Sequence, residues 1–418
     1  MAMKYLPKRT CSDSEFLDLV SRALRDVVVP ELPLLSCQIK GVHTPMSPYY
    51  EYRPISQVPV VLVRECRDIT EFLRREHDIP PNEEALWRVS LVPEADSFWV
   101  SFAYHHAIGD GSSGLIFHEH LLCALQGMED GTVPSTEYRP LPPPIEECGL
   151  NLKASWYDLC KEILGVLPLP SIIRDYINGP KYYGGNETTY EQRRNTRTGL
   201  KVLRLHARHV ERLRTLAKVH NVNIHALLHG SAIHCIDTDE HIKTSTPISL
   251  RPLLPDEHKK NMGNYICCHV SMTPIASDVV STAKMFHAEL HQPSLRDQAM
   301  RQLGLLEYID SSPPTDGSPG GMEKVLLQRL NTTNNHCLGA TLEVSNLGNW
   351  KAPLFGAWRV EDVHFAGSNS SIGELFNLGV VTLAGGDMKV ACTYRQGYID
   401  EPEVSGFMER LRATLESL

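Results

Sequence analysis

Seven consecutive residues, His105-His106-Ala107-Ile108-Gly109-Asp110-Gly111, gather two imidazoles, a carboxylate and two glycines. An imidazole has an unperturbed pKa of about 6.5, so a histidine held rigidly beside a substrate proton can act as a general base. Three readings of the pair are open from the residues alone. His105 and His106 could be hydrogen-bonded core histidines at a strand end. They could bind a metal with His118 and His120, although helical positions two apart point to different sides and share an ion poorly. Or one of them could be a catalytic base, with Asp110 holding the loop. Gly109 and Gly111 flank Asp110 and open backbone angles closed to other residues.

The elements that must position this stretch are legible around it. Residues 85–92 and 98–104 are rich in β-branched and aromatic types and are separated by the polar turn 93–97. That pattern predicts a hairpin whose second strand delivers the histidines to a loop. A helix is expected from Ser112 to Gln126. Ser112 or Ser113 can cap it, Phe117, Leu121 and Leu125 repeat on one face, and Gly127 is a stop signal.

HHAIGDG resembles the HHxxxDG signature of the acyl-CoA-dependent acyltransferase superfamily. That group includes fungal alcohol acetyltransferases, plant BAHD acyltransferases, mycobacterial polyketide-associated acyltransferases and peptide-synthetase condensation domains. Further stretches follow in family order. Residues 222–235 resemble an early helix of the second half, and 247–254 the strand bearing a family arginine. Met262-Gly263-Asn264-Tyr265 resembles the Gly-Asn turn. Val344-Ser345-Asn346-Leu347-Gly348 resembles the Ser-Asn-Leu-Gly strand of the alcohol acetyltransferases. The likeness spans residues 35–415. The plant DFGWG motif is absent, its nearest string being Leu354-Phe355-Gly356-Ala357-Trp358, which favours the fungal branch.

The resemblance implies a mechanism. His106, the second histidine, is the expected general base for an acceptor hydroxyl or amine. The acceptor attacks an acyl thioester directly, and coenzyme A leaves as a thiol. Asp110 is expected to point away from substrate and pair with Arg251, and Gly111 completes the motif. His105, Asn264, Ser345 and Asn346 are expected at the substrate. Ser345 or Asn346 would donate to the developing oxyanion; the plainer alternative is that these residues are ordinary turn formers. Neither a metal nor a permanently bound cofactor is implied. Acyl-CoA is a co-substrate, acetyl the expected cargo, and the acceptor a small natural-product alcohol or amine. Three rivals remain: a condensation-type enzyme using a carrier-protein-bound thioester, a non-catalytic binding protein of the same fold, and a tunnel that hosts other chemistry such as cyclisation or isomerisation. The intact set of His106, Asp110 and Arg251 argues against the second.

Composition narrows the class. The 418 residues carry a net charge of −9, which argues against nucleic acid as a partner. With 42% hydrophobic and 22% charged residues the chain reads as an ordinary globular enzyme. There is no apolar run of the roughly 20 residues a membrane helix needs, and no signal-peptide stretch at the start. Eleven cysteines without CxxC spacing read as reduced thiols of a cytoplasmic protein. The sequons at Asn186, Asn331 and Asn369 are then chance matches. Residues 191–220 hold nine basic residues against two acidic ones. They could form a solvated helix face or a positive rim for coenzyme A phosphates, with Lys259 and Lys260 adding to it.

Mixed helices and alternating strands predict an α+β protein with two domains and a cleft. The resemblance sharpens this to two similar α/β domains of the chloramphenicol-acetyltransferase type, with a substrate tunnel at their interface, in a monomer. Residues 1–178 form the domain with the HHxxxDG loop, 179–199 the crossing loop, and 200–418 the domain with Arg251 and the Ser-Asn-Leu-Gly strand. An opening strand before the helix expected at 14–29 is not legible. The proline-rich stretch 131–151 reads as a linker or surface strap, and 311–321 as a mobile loop.

Overall fold

The computed structural model describes the chain except residues 42–47, 56, 67, 80, 83–84, 133–137, 168–169, 171, 174–175, 177–178, 187–195, 310–338, 354–355 and 370–372. The 311–321 loop, the Asn331 sequon, Glu191, Arg193 and Arg194, and the first two residues of the Leu354–Trp358 string therefore lie outside the described residues. The first half supplies β1 (Ala2–Pro7), α1 (Asp13–Ala23), β2 (Cys37–Lys40), β3 (Tyr49–Tyr52), β4 (Val60–Leu62) and α2 (Ile69–His77). It continues with β5 (Trp87–Glu94), β6 (Ser97–Tyr104), α3 (Gly111–Glu129) and α4 (Trp156–Val166). The second half supplies β7 (Thr198–Leu205), α5 (Ala207–His220), α6 (Ile224–Cys235), β8 (Thr244–Ser249) and β9 (Ile266–Ser271). Then come α7 (Val279–Leu290), α8 (Leu295–Gly304), β10 (Leu342–Trp350), β11 (Trp358–His364), β12 (Phe376–Leu383), β13 (Met388–Arg395) and α9 (Glu401–Ser417).

Two sheets organise the molecule. The first has the order β11-β1-β6-β5-β4 and the second β7-β13-β12-β10-β8-β9. The first core forms where Phe98, Val100 and Phe102 of β6 meet α1 and α3. Phe102 stacks on Phe117 with centroids 3.6 Å apart. Phe117, Leu121 and Leu125 are fully buried, as their spacing predicts, and each such side chain contributes about 1.5–3 kcal/mol. The second core lies between the sheet and α5, α6, α7 and α9, with Leu342, Val344, Leu378, Val390 and Phe407 inside it. Both faces of α6 are covered, so its periodicity is weak although nearly all its residues are buried.

Four departures from the expected elements have physical causes. An opening strand does exist: β1 is an interior strand of the first sheet, paired with β6 and β11. Half of its residues are buried and none is exposed, so the polar alternation that marks a half-exposed strand is missing. The helix after the His loop is capped by Asp110 rather than Ser112 or Ser113. Gly127 does not stop it; the apolar face carries the helix through that glycine's cost of about 1 kcal/mol. Termination comes at Gly131, whose φ of 67° is the left-handed conformation glycine takes easily. Arg251 lies not on a strand but in the short 3-10 turn Arg251–Leu253 just after β8. Finally, β11 belongs to the first sheet. The 200–418 segment is thus not self-contained, because its strand pairs with β1 through six positions from Ala2–His364 to Pro7–Trp358.

Candidate active site

The hairpin β5–β6 pairs from Trp87–Tyr104 to Glu94–Ser97 and ends at the His loop. His105 donates its backbone N–H to Leu86 O at 2.7 Å, and its carbonyl accepts from Ile108 at 3.1 Å, closing a turn. The His105 Nδ1 accepts the Ala107 N–H at 3.1 Å. An imidazole nitrogen that accepts a backbone N–H carries no proton there, so His105 is held neutral with its proton on Nε2. His106, next in the chain, is exposed and makes no hydrogen bond among the described residues. Its ring is free to meet a ligand. Tyr50 of β3 donates to Ala107 O at 2.7 Å and ties the loop from outside.

Asp110 anchors the other end. It is 1% exposed, and Arg251 is 8% exposed. One carboxylate oxygen accepts from the Ser113 N–H at 3.0 Å and the Ser113 hydroxyl at 3.1 Å. The other accepts from the Tyr265 N–H at 3.0 Å and from Arg251 Nη1. A carboxylate has about four lone-pair sites, and all are taken, so Asp110 has nothing to offer a substrate. Arg251 Nη2 donates further to the carbonyls of Asn261 at 3.2 Å and Gly263 at 3.1 Å. The guanidinium lies 5.1 Å from the Tyr265 ring centroid. The knot joins the α3 end of the first half to the β8–β9 connection of the second. Breaking such a buried pair costs about 3–5 kcal/mol, because one charge is left unpartnered.

Close packing completes the loop. A Cβ at Gly111 would come within 2.7 Å of Leu347 Cδ2 and 2.9 Å of Phe365 Cζ. Gly111 thus lets the start of α3 touch β10 one residue past Asn346. Leu342 and Val344 of β10 are buried in the second core, so Glu343 and Ser345 point the other way. Ser345 pairs with Gly379, which pairs with Ala391. Ala391 packs with Ala2 and Trp99 of the first sheet. Ser345 therefore lies on the face that meets the first half. Asn346 accepts the Gly348 N–H on its Oδ1 at 2.8 Å, which leaves its amide N–H groups free to donate. Asn264 is exposed on the turn between Gly263 and Tyr265, beside the knot.

The structure thus brings Asp110, Gly111, Arg251 and the turn bearing Asn264 together, with β10 against the loop. Three neighbours are not singled out as site residues by the sequence. Ser113 centres the knot, and its position three residues after a capping Asp is the capping-box signal that could have found it. Tyr104 donates to Asp110 O at 2.7 Å, and burial holds its phenol well above the ordinary range. Glu343, on the same face as Ser345, accepts from Ser245 and from Asn377 at 3.2 Å each. Burial and the neighbouring Glu374 push its carboxyl well above the ordinary carboxylate range. Nothing in its sequence context marks it.

Two buried histidines have structural partners. His118 faces the Tyr5 hydroxyl at 2.9 Å, and His229 pairs with Thr244 Oγ1 at 3.0 Å while stacking on Phe286. Asn369 is 2% exposed, and its amide donates to Glu374 O at 2.7 Å.

A two-lobed α/β molecule with a fastened His-Asp loop at the meeting of its sheets is the class these features define. The chain belongs to the alcohol acetyltransferase family, whose model matches residues 68–415. It is 24% identical over 401 residues to an uncharacterized protein of Schizosaccharomyces pombe, covering 88% of this chain and 81% of that one. It is 33% identical over 107 residues to a probable alcohol acetyltransferase, crmB, of Aspergillus fumigatus, covering 22% and 23% of the two chains. Among solved structures, the first condensation domain of the calcium-dependent antibiotic synthetase superposes with a TM-score of 0.64 at 14% identity, covering 99% and 90%. Polyketide synthase associated protein 5 of Mycobacterium tuberculosis gives 0.61 at 14%, covering 100% and 93%. These two likenesses speak for the fold: a two-lobed α/β architecture. Among the described residues no helix is long and apolar enough to cross a membrane.

Proposed function

We propose that this acyltransferase moves an acyl group, acetyl first among candidates, from coenzyme A to a hydroxyl or amine of a small acceptor. His106 takes the acceptor proton, the freed lone pair attacks the thioester carbonyl, and the C–S bond breaks. The imidazolium then returns the proton to the departing sulfur. Ser345 or the Asn346 amide would donate to the oxyanion. Asp110 and Arg251 hold the loop rather than touch substrate. The observation that carries this reading is the contrast within the loop: His105 is engaged, Asp110 is saturated, and His106 alone of the three is open. The ten described cysteines are free thiols, which suits a reducing, cytoplasmic setting.

The test is a panel of acyl-CoA esters, with a carrier-borne thioester alongside, assayed against small alcohols and amines. Transfer from free acyl-CoA that disappears in His106→Ala supports the reading. Transfer only from the carrier moves the assignment to condensation-type chemistry. Full activity in His106→Ala removes the proposed base.

A further inference from the structure

A cavity of about 290 Å³ opens behind the Asp110–Arg251 knot. Its walls are the Glu31–Leu34 segment, the His120 side of α3, Arg139 of the proline-rich strap, and Lys260–Met262. The last wall is part of the knot, since Asn261 accepts from Arg251 and Met262 precedes Gly263. His120 lies nine residues along α3 from Gly111, roughly 13 Å at 1.5 Å per residue.

The charges in this cavity are unevenly spent. Glu31 accepts from Arg139 at 2.5 Å, and Glu119 accepts the Trp350 indole N–H at 2.9 Å. Burial and Glu119 raise the Cys123 thiol, which stays neutral. Lys260 and His120 have no hydrogen bond or ion pair among the described residues, so the uncommitted groups are basic. Four described members of the basic run expected as a phosphate rim have partners of their own. Lys201 pairs with Glu401 at 2.5 Å, Arg204 with Asp387, and Arg214 with Glu211. Arg212 reaches the carbonyls of Glu416 and Ser417 at 3.3 Å.

We propose that this cavity binds a phosphate-type anion through Lys260 and His120, with Arg139 on the third side, and that the anion is the phosphorylated end of the thioester donor. The second half of this statement rests on the donor reading above. Burial holds the His120 imidazole below its ordinary value, with Glu31 opposing and Arg139 and Lys260 adding to it. A dianion seated between them favours the imidazolium, so binding takes up a proton at neutral pH. Lys259, the other lysine of the pair, is held by Asp256 at 2.6 Å and plays no part.

The experiment is calorimetric titration of the full chain at pH 7 in two buffers of different ionisation enthalpy. The probes are coenzyme A, phosphopantetheine, pantetheine and inorganic phosphate. Proton uptake is expected with coenzyme A and absent with pantetheine. Lys260→Gln should weaken coenzyme A at least tenfold, and His120→Gln should abolish the uptake. Phosphopantetheine matching coenzyme A assigns the phosphate next to the arm; coenzyme A alone assigns the nucleotide phosphates. Unchanged affinity in Lys260→Gln, or unchanged uptake in His120→Gln, overturns the proposal. If the protein transfers no acyl group from any thioester yet inorganic phosphate still protonates His120, the donor reading falls and the anion site stands.

Discussion

His106 sits exposed on the turn after β6 and makes no hydrogen bond among the described residues. His229, on α6, is fully buried, stacked on Phe286 at 3.5 Å and bonded to Thr244 at 3.0 Å. Burial drives the His229 imidazole well below its ordinary pKa, so it stays neutral and serves packing. The same side chain thus has two uses. Where a strand ends at a glycine-flanked loop, the ring remains open to a ligand. Where a helix is covered on all sides, it becomes a flat core residue with one polar contact.

Substitutions can break or sharpen that contrast. The largest effect is expected from His106→Ala, which should cut kcat/KM by about 100- to 10,000-fold with an unchanged melting midpoint. A large loss of thermal stability would instead make His106 structural. Next, Asp110→Ala should destabilise the fold by about 3–5 kcal/mol, read from denaturant midpoints, because Arg251 is left buried without its partner. If activity vanished while stability held, Asp110 would have to touch substrate after all. His229→Ala should cost about 2–4 kcal/mol through the cavity beside Phe286 and the stranded Thr244 hydroxyl. Activity per folded molecule should be retained, the mirror image of His106→Ala.

Smaller effects test the packing of the loop and the buried rings. Gly111→Ala should cost about 1–3 kcal/mol, since Leu347 and Phe365 must both move, and calorimetry can read it. The buried histidines also set an acid limb. Burial lowers His118 to about 3, whereas the unfolded chain protonates near 6.5. Between those values the unfolded state binds more protons, so stability falls as pH drops from 6.5. His118→Gln should flatten this slope of stability against pH; an unaltered slope would place the acid sensitivity elsewhere.

Much of this was legible before any coordinates. The hairpin, the His loop and the helix behind it follow from alternation, turn residues and four-residue apolar spacing. β1 was not legible, because an interior strand paired on both sides, with no exposed residue, loses the polar alternation that would mark it. The arginine was expected on a strand and lies in a 3-10 turn, where Pro252 follows it. Ser113 was read as a possible cap and is the cap's partner, a distinction that depends on which residue leaves helical geometry first.

The sequence by itself determined the local chemistry: a histidine pair after a strand, an aspartate between glycines, a helix with one apolar face. Those depend on spacing within a few residues, where the chain's own geometry dictates what meets what. Only the tertiary structure decided that Asp110 spends all its lone pairs on Ser113, Tyr265 and Arg251. It alone placed β11 in the first sheet, Glu343 on the face between the lobes, and Lys260 and His120 around one cavity. Apart from Ser113, three residues on, Asp110 meets partners more than a hundred positions away, as do β1 with β11 and His120 with Lys260. Their meeting is set by how the two sheets pack, and no local periodicity records it.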